Sequence, residues 1–228
     1  MVRELFALIS SIASPAVLLL ALASNPAAAQ GGPAAPELES TSAVPPVVMP
    51  EHALGGQALL RALRGGGFVL YMRHADASSI PPDPVSMLTA EGKTQAQLVG
   101  QALRTLRIPI SNVMASELQR AQDSARLLGV GPVQVTPALN PAGEGRGLAG
   151  PAQRRALLAQ VPEPGTNVLL VSHRHGGGPR SDWLHIDLAE VAVYRPDGRG
   201  ASHPVARITL EQWTEMLGLP NAAGEPAR

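Results

Sequence analysis

The chain has 228 residues, 45% of them hydrophobic, which suits one ordinary globular domain with a buried core and some extra length. Its 18 basic residues balance 18 acidic ones, so there is no large basic field to hold nucleic acid and no acidic surface calling for a basic partner. The partner expected is a small molecule. The absence of cysteine excludes disulfides, thiolate catalysis and thiolate metal sites together.

In the first thirty residues Arg3 is followed by an apolar run from Leu5 to Ala23, then by Ser24, Asn25, Pro26 and Ala27-Ala28-Ala29-Gln30. Small residues at Ala27 and Ala29 fit cleavage after Ala29, so residues 1–29 are expected to be a signal peptide and the mature protein periplasmic or secreted. A retained anchor is the rival, because the uncharged run approaches the ~18–20 residues that span a bilayer. Ser10, Ser11, Ser14 and Pro15 interrupt that run and favour cleavage, which leaves no membrane span. Residues 30–50 are dense in Pro, Ala, Gly and Ser without a period, the composition of an extended tether. The folded domain is expected over 51–228.

Phe68-Val69-Leu70-Tyr71-Met72 follows a run of glycines and is apolar throughout, as a strand covered on both faces should be. Thr89 can cap a helix from about Ala90 to Leu106, with Ala96, Val99, Leu103 and Leu106 on one face, and Pro109 closes that unit. A strand around Asn112-Val113-Met114-Ala115 leads into Ser116 and Gln119, which have the spacing of a capping box for a helix running to Leu128. Val133-Gln134-Val135 is a short strand candidate, followed by a long Pro- and Gly-rich loop over 137–151 and a helix from Ala152 to Gln160. Asn167 to Val171 is the next buried strand. Val191 to Tyr194 and Ala206 to Leu210, joined through Pro196-Asp197-Gly198, form a closing antiparallel pair. The predicted fold is α/β: a three-layer α/β/α sandwich with a mostly parallel sheet and an antiparallel edge.

Three of these strands end in groups suited to phosphate. The first runs into Arg73-His74, the second into Ser116 and, one turn later, Arg120, and a later one into Ser172-His173. In open α/β sheets the ligand crevice lies outside the carboxyl ends of the strands, so these ends can face one space. Arg120 falls in a first helical turn, where free N–H groups and the dipole favour an anion. Two arginines there can clamp a phosphate through charge-assisted hydrogen bonds.

Arg73-His74-Ala75, then Leu88-Thr89-Ala90-Glu91-Gly92, then Ser116 with Arg120-Ala121, then Val168-Leu169-Leu170-Val171-Ser172-His173 resemble, in order, the motifs of the histidine phosphatase (phosphoglycerate mutase-like) superfamily. The resemblance spans roughly Phe68 to Leu210. It implies a phosphoric monoester hydrolase in which His74 attacks phosphorus, a carboxylic acid protonates the leaving alcohol and water hydrolyses the phosphohistidine. Arg73, Arg120 and a protonated His173 then hold the equatorial oxygens. The physical demands agree, since neutral imidazole is a competent nucleophile near neutrality and clustered cations stabilise the charge of phosphoryl transfer. No cofactor or metal is implied.

For the acid, Glu190 lies just before the Val191 strand, while Glu144 lies in the 137–151 loop, and Asp76 and Asp83 are further alternatives. Glu190 is the preferred candidate. His173 and His175, with His185 or His203, form a rival metal set, weakened by the lack of an evident carboxylate partner and by flanking arginines. Arg146, Arg174 and Arg180 can fringe the pocket. The glycine run from Gly176 to Gly178 departs from the family and keeps open a second reading, an inactive phosphate- or phosphosugar-binding module. A mutase acting on one phosphosugar is disfavoured by export.

Overall fold

The apolar run after Gly67 forms β1 (Val69–Arg73), buried from Val69 to Met72. The computed structural model describes residues 53–77, 87–141, 150–174, 183 and 185–220. All of these fall within the second of two units into which the chain divides, Val44–Arg228. Preceding β1 is α1 (Gly56–Gly65), whose Leu59, Leu60 and Leu63 are buried. This helix is an addition to the elements expected from the sequence, although leucines four apart with Ala62 between them carry the helical period.

After β1 come α2 (Ala90–Thr105), β2 (Ile110–Ala115), α3 (Gln119–Leu128), β3 (Val133–Val135), a short 3-10 turn (Pro137–Leu139), α4 (Pro151–Leu158), β4 (Asn167–Ser172), β5 (Val191–Pro196), β6 (Ser202–Ile208) and α5 (Leu210–Met216). The six strands form one sheet in the order β3-β2-β4-β1-β5-β6. β3, β2, β4 and β1 are mutually parallel, and β5 runs antiparallel to both β1 and β6. The expected architecture is therefore present, with the antiparallel part at one end of the sheet. Register places Arg73 beside Ser172 and Ala115 beside Val171, so the carboxyl ends of β1, β2 and β4 finish level.

The sheet's two faces explain the layers. Leu70 and Met72 pack into a core with α1, α2, α3 and α5, whereas Val69 and Tyr71 point the other way, toward Leu139, Leu158, Trp183 and Ile186. That alternation is the period-two geometry of a strand with both faces covered. The described residues contain no helix long and apolar enough to cross a membrane.

Several boundaries differ from expectation. Ser116 and Gln119 do not form a capping box: α3 has Leu118 at its N-cap with no side-chain cap, because Ser116 Oγ is taken up two residues earlier. The anticipated strand to Leu210 ends at Ile208, since Thr209 caps α5 by accepting from Gln212 N. The 3-10 turn occupies the start of the anticipated 137–151 loop, capped by Thr136. By contrast Thr89 caps α2 as its position suggests, accepting from Gly92 N at 3.0 Å.

Candidate active site

His74 follows β1 directly, and its backbone N–H donates to Ser172 O at 2.8 Å, which stitches the nucleophile candidate to the end of β4. Its side chain is 8% exposed. Nδ1 lies 2.8 Å from Ala75 O, and Arg120 Nε donates to Nε2 at 3.2 Å. A carbonyl can only accept and a guanidinium can only donate, so Nδ1 carries the proton and Nε2 keeps its lone pair. The ring is thereby the neutral tautomer with Nε2 toward Arg120. Burial, assisted by the nearby Arg120 and Arg73 charges, lowers the His74 pKa to about 4, against an opposing contribution from the Ala75 hydrogen bond.

His173 follows β4 and is 3% exposed. Its ring centroid is 5.1 Å from that of His74, with the two planes tilted by 59°. Ser116 Oγ, at the end of β2, lies 2.6 Å from His173 Nε2 and also accepts from Leu118 N. Tyr71 Oη donates to His173 O at 3.0 Å, which fixes the main chain beneath the ring. Ser172 Oγ donates to Leu139 O on the other side of the sheet end.

Arg120 lies in the first turn of α3, and the loop after His74 is tied to the same helix. Ala75 N donates to Ser124 Oγ, which in turn donates to Arg120 O at 2.7 Å. Arg73 extends from the last position of β1 and donates through Nη1 to Ile186 O at 3.3 Å. Burial, followed by the repulsion of Arg174, holds its guanidinium below the ordinary arginine range, while Asp187 acts in the opposite sense. Arg73, Arg120 and Arg174 therefore concentrate positive charge around two imidazoles at one sheet edge. Such a cluster suits a doubly charged tetrahedral anion.

The acid candidates fare differently. Glu190 is 5% exposed, and its carboxylate accepts from Arg207 Nε at 2.6 Å, from Arg207 Nη2 at 2.5 Å and from Asp187 N at 2.7 Å. Those oxygens accept three hydrogen bonds, two of them from Arg207 in a buried ion pair. Asp76 Oδ2 accepts from the Thr89 hydroxyl at 2.6 Å, beside the start of α2. Glu144 and Asp83 lie outside the described residues, as do Arg146, His175 and Arg180. Among the described residues no three His, Asp or Glu side chains gather as metal ligands.

Sequence reasoning passed over Tyr71, Ser124, Asp187 and Arg207. Tyr71 is the middle residue of β1 and reads as core, whereas Arg207 reaches its partner only through the β5–β6 pairing, where Ala192 lies opposite Arg207. No local spacing announces either contact.

Comparison with known proteins adds an independent finding. The sequence pattern of the histidine phosphatase superfamily (branch 1) matches residues 73–149, which include Arg73, His74 and Arg120. No curated protein matches the chain. Among solved structures, the protein histidine phosphatase SixA complexed with tungstate is 22% identical, covering 63% of this chain and 97% of its own, with a TM-score of 0.49. A candidate phosphohistidine phosphatase SixA from Nakamurella multipartitia is 22% identical over 62% of this chain and 95% of its own, at a TM-score of 0.47. A phosphoserine phosphatase mutant from Entamoeba histolytica, in complex with phosphoserine, is 13% identical over 64% and 98%, at 0.45. At such identities and TM-scores these likenesses carry no argument about a substrate.

Proposed function

We propose, from the match of residues 73–149 to the histidine phosphatase superfamily (branch 1), that the chain is a phosphomonoesterase that forms a phosphohistidine on His74. The observation that carries the proposal is the fixed lone pair on His74 Nε2, aimed at a guanidinium and held neutral by a pKa near 4. A nucleophile of this kind needs no base to activate it.

The geometry supports the following cycle. An incoming phosphate dianion takes the Arg120 guanidinium away from Nε2, because charge-assisted bonds to its oxygens are stronger than the one to imidazole. Arg73, Arg120 and a protonated His173 then neutralise the equatorial oxygens. Nε2 bonds to phosphorus while the ester P–O bond breaks and the leaving oxygen receives a proton. Water attacks the phosphohistidine in the second step, and His74 returns to its neutral form. The protein groups already supply the charge stabilisation that phosphoryl transfer demands, so the proposed cycle uses no metal ion or cofactor. The proposed substrate is a phosphorylated small molecule or an exposed phosphoester, and the leader-like composition of residues 1–29 supports a reaction outside the cytoplasm.

The test is release of p-nitrophenol from p-nitrophenyl phosphate. His74→Ala should abolish release and Ser172→Ala should retain it, since the Ser172 hydroxyl is spent on Leu139 O. Acid-labile, alkali-stable phosphate should be trapped on the wild type. Tight phosphate binding with no release would instead establish a binding module.

A further inference from the structure

The phosphatase reading leaves the leaving-group proton without a donor, and the segment 185–190 supplies one. We infer that Asp187 protonates the leaving oxygen, and that the buried Glu190–Arg207 pair is the device that holds Asp187 at the rim of the phosphate pocket. The inference rests on the proposed phosphatase function and adds the acid to it.

Hydrogen bonds on both sides fix the main chain around Asp187. The residue before it is bound to the pocket, since Arg73 Nη1 donates to Ile186 O. Asp187 N donates to Glu190 Oε2 at 2.7 Å, and Glu190 N donates back to Asp187 O at 3.2 Å, closing a tight turn. Arg207 Nη2 bonds both Glu190 Oε2 and His185 O, so one guanidinium grips the segment on both sides of Asp187. The turn is then sewn to the nucleophile's own strand end: Ala189 N donates to His74 O, and Arg73 N donates to Glu190 O. A main chain held this way sets Asp187, an exposed residue, one position after the carbonyl that the Arg73 guanidinium holds. The influence of Asp187 on Arg73 agrees with that proximity.

Neither described rival is so placed. Glu190 would have to leave two guanidinium bonds and an amide to donate a proton, and Asp76 is engaged by the Thr89 hydroxyl at the start of α2. Asp187 carries no such commitment.

The step balances. As Nε2 bonds to phosphorus and the P–O ester bond breaks with its electron pair on oxygen, the Asp187 carboxyl proton passes to that oxygen. As water attacks and the P–Nε2 bond breaks, the Asp187 carboxylate takes the proton from water and is restored. Glu190 and Arg207 are positioning residues in this scheme, since they act through Asp187.

A general acid matters in proportion to how badly the leaving group needs a proton, and this gives the test. The full chain and its Asp187→Asn variant are assayed with phenyl phosphate and with 2,4-dinitrophenyl phosphate, whose leaving group departs unprotonated. Asp187→Asn should lose roughly 100-fold or more in kcat/KM on phenyl phosphate, and less than about 5-fold on the dinitrophenyl ester. Glu190→Gln should show the same split, and adding it to Asp187→Asn should cost little more, because both act on one proton transfer. Equal losses on the two esters, or no loss on phenyl phosphate, would overturn the assignment while the phosphatase reading stands. If wild type hydrolyses neither ester, both fall together. Retained dinitrophenyl ester hydrolysis by Asp187→Asn shows that this variant folds, so the result does not depend on Glu190→Gln.

Discussion

Two neighbours decide which nitrogen of His74 can react. Ala75 O takes the Nδ1 proton and Arg120 points a donor at Nε2, so the lone pair is committed to the pocket before any substrate arrives. Arg120→Ala removes both that donor and a charge that disfavours the imidazolium. It should lower kcat/KM by roughly 100- to 1,000-fold, and the His74 titration, followed by NMR of the ring nitrogens, should move upward from about 4. A titration that stays put would mean that burial and Arg73 set the value without Arg120. At this scale the sequence disclosed Arg73, His74, Arg120 and His173, because each stands at or just beyond a strand end where topology concentrates ligands. It did not disclose the partner of Glu190. A glutamate before a strand looks the same whether it faces a substrate or an arginine, and Arg207 is brought to it only by the hairpin of β5 and β6. Asp187 was hidden for the same reason, since its place depends on contacts to Arg73 and Arg207 from distant strands.

At the scale of elements, α2 is the part that couples the core to the nucleophile. A Cβ on Gly92 would sit 1.9 Å from Asp76 O, and one on Gly100 would sit 2.0 Å from Leu128 O. The first turn of α2 therefore rests on the backbone two residues beyond His74, and its middle rests on the end of α3. Neither neighbour is a flexible side-chain tip, so adding a methyl group must push backbone apart, an overpacking cost of about 1–3 kcal/mol. Gly92→Ala and Gly100→Ala should each lower Tm by several degrees, about 2–4 °C per kcal/mol for a chain of this size. Only Gly92→Ala should also reduce kcat at a temperature where both variants are folded, because only it displaces the His74 loop. The helix itself was legible from Thr89 and its apolar face. α1 and α5 were not: α1 is short and bounded by glycines, and α5 begins on residues whose β-branched and apolar character also suits a strand. The Thr209 and Gln212 spacing of a capping box was nonetheless present in the sequence. Ser116 and Gln119 show the converse, a correct spacing whose hydroxyl is drawn off to His173.

For the molecule as a whole, the proposed export predicts a mature chain beginning at Gln30, checked by N-terminal sequencing of the protein recovered outside the cytoplasm. The other whole-molecule consequence concerns pH. His74 is buried as a neutral ring whose pKa is about 4 when folded, against 6.5 for an ordinary histidine. As pH falls from about 6.5 toward 4, the unfolded chain binds a proton at this position and the folded chain does not, so stability falls with acidification. Between about pH 7 and pH 5 the loss attributable to His74 is about 2 kcal/mol. Asp197 and Glu211 are both lowered, Asp197 by backbone N–H groups of Arg199 and Ala201 and Glu211 by the Thr209 side chain. Their contributions are present above the ordinary values of 3.8 and 4.5 and are lost below them, so they act at lower pH than His74 does. Urea unfolding of wild type and His74→Gln at a series of pH values separates the two effects. The variant should lose about 2 kcal/mol less than wild type on going from about pH 7 to pH 5, and the two curves should then run parallel below about pH 4. Curves parallel throughout would show that the His74 ring takes up its proton in the folded protein as readily as in the unfolded chain. The neutral nucleophile on which the phosphohistidine step depends would then be absent at mildly acidic pH.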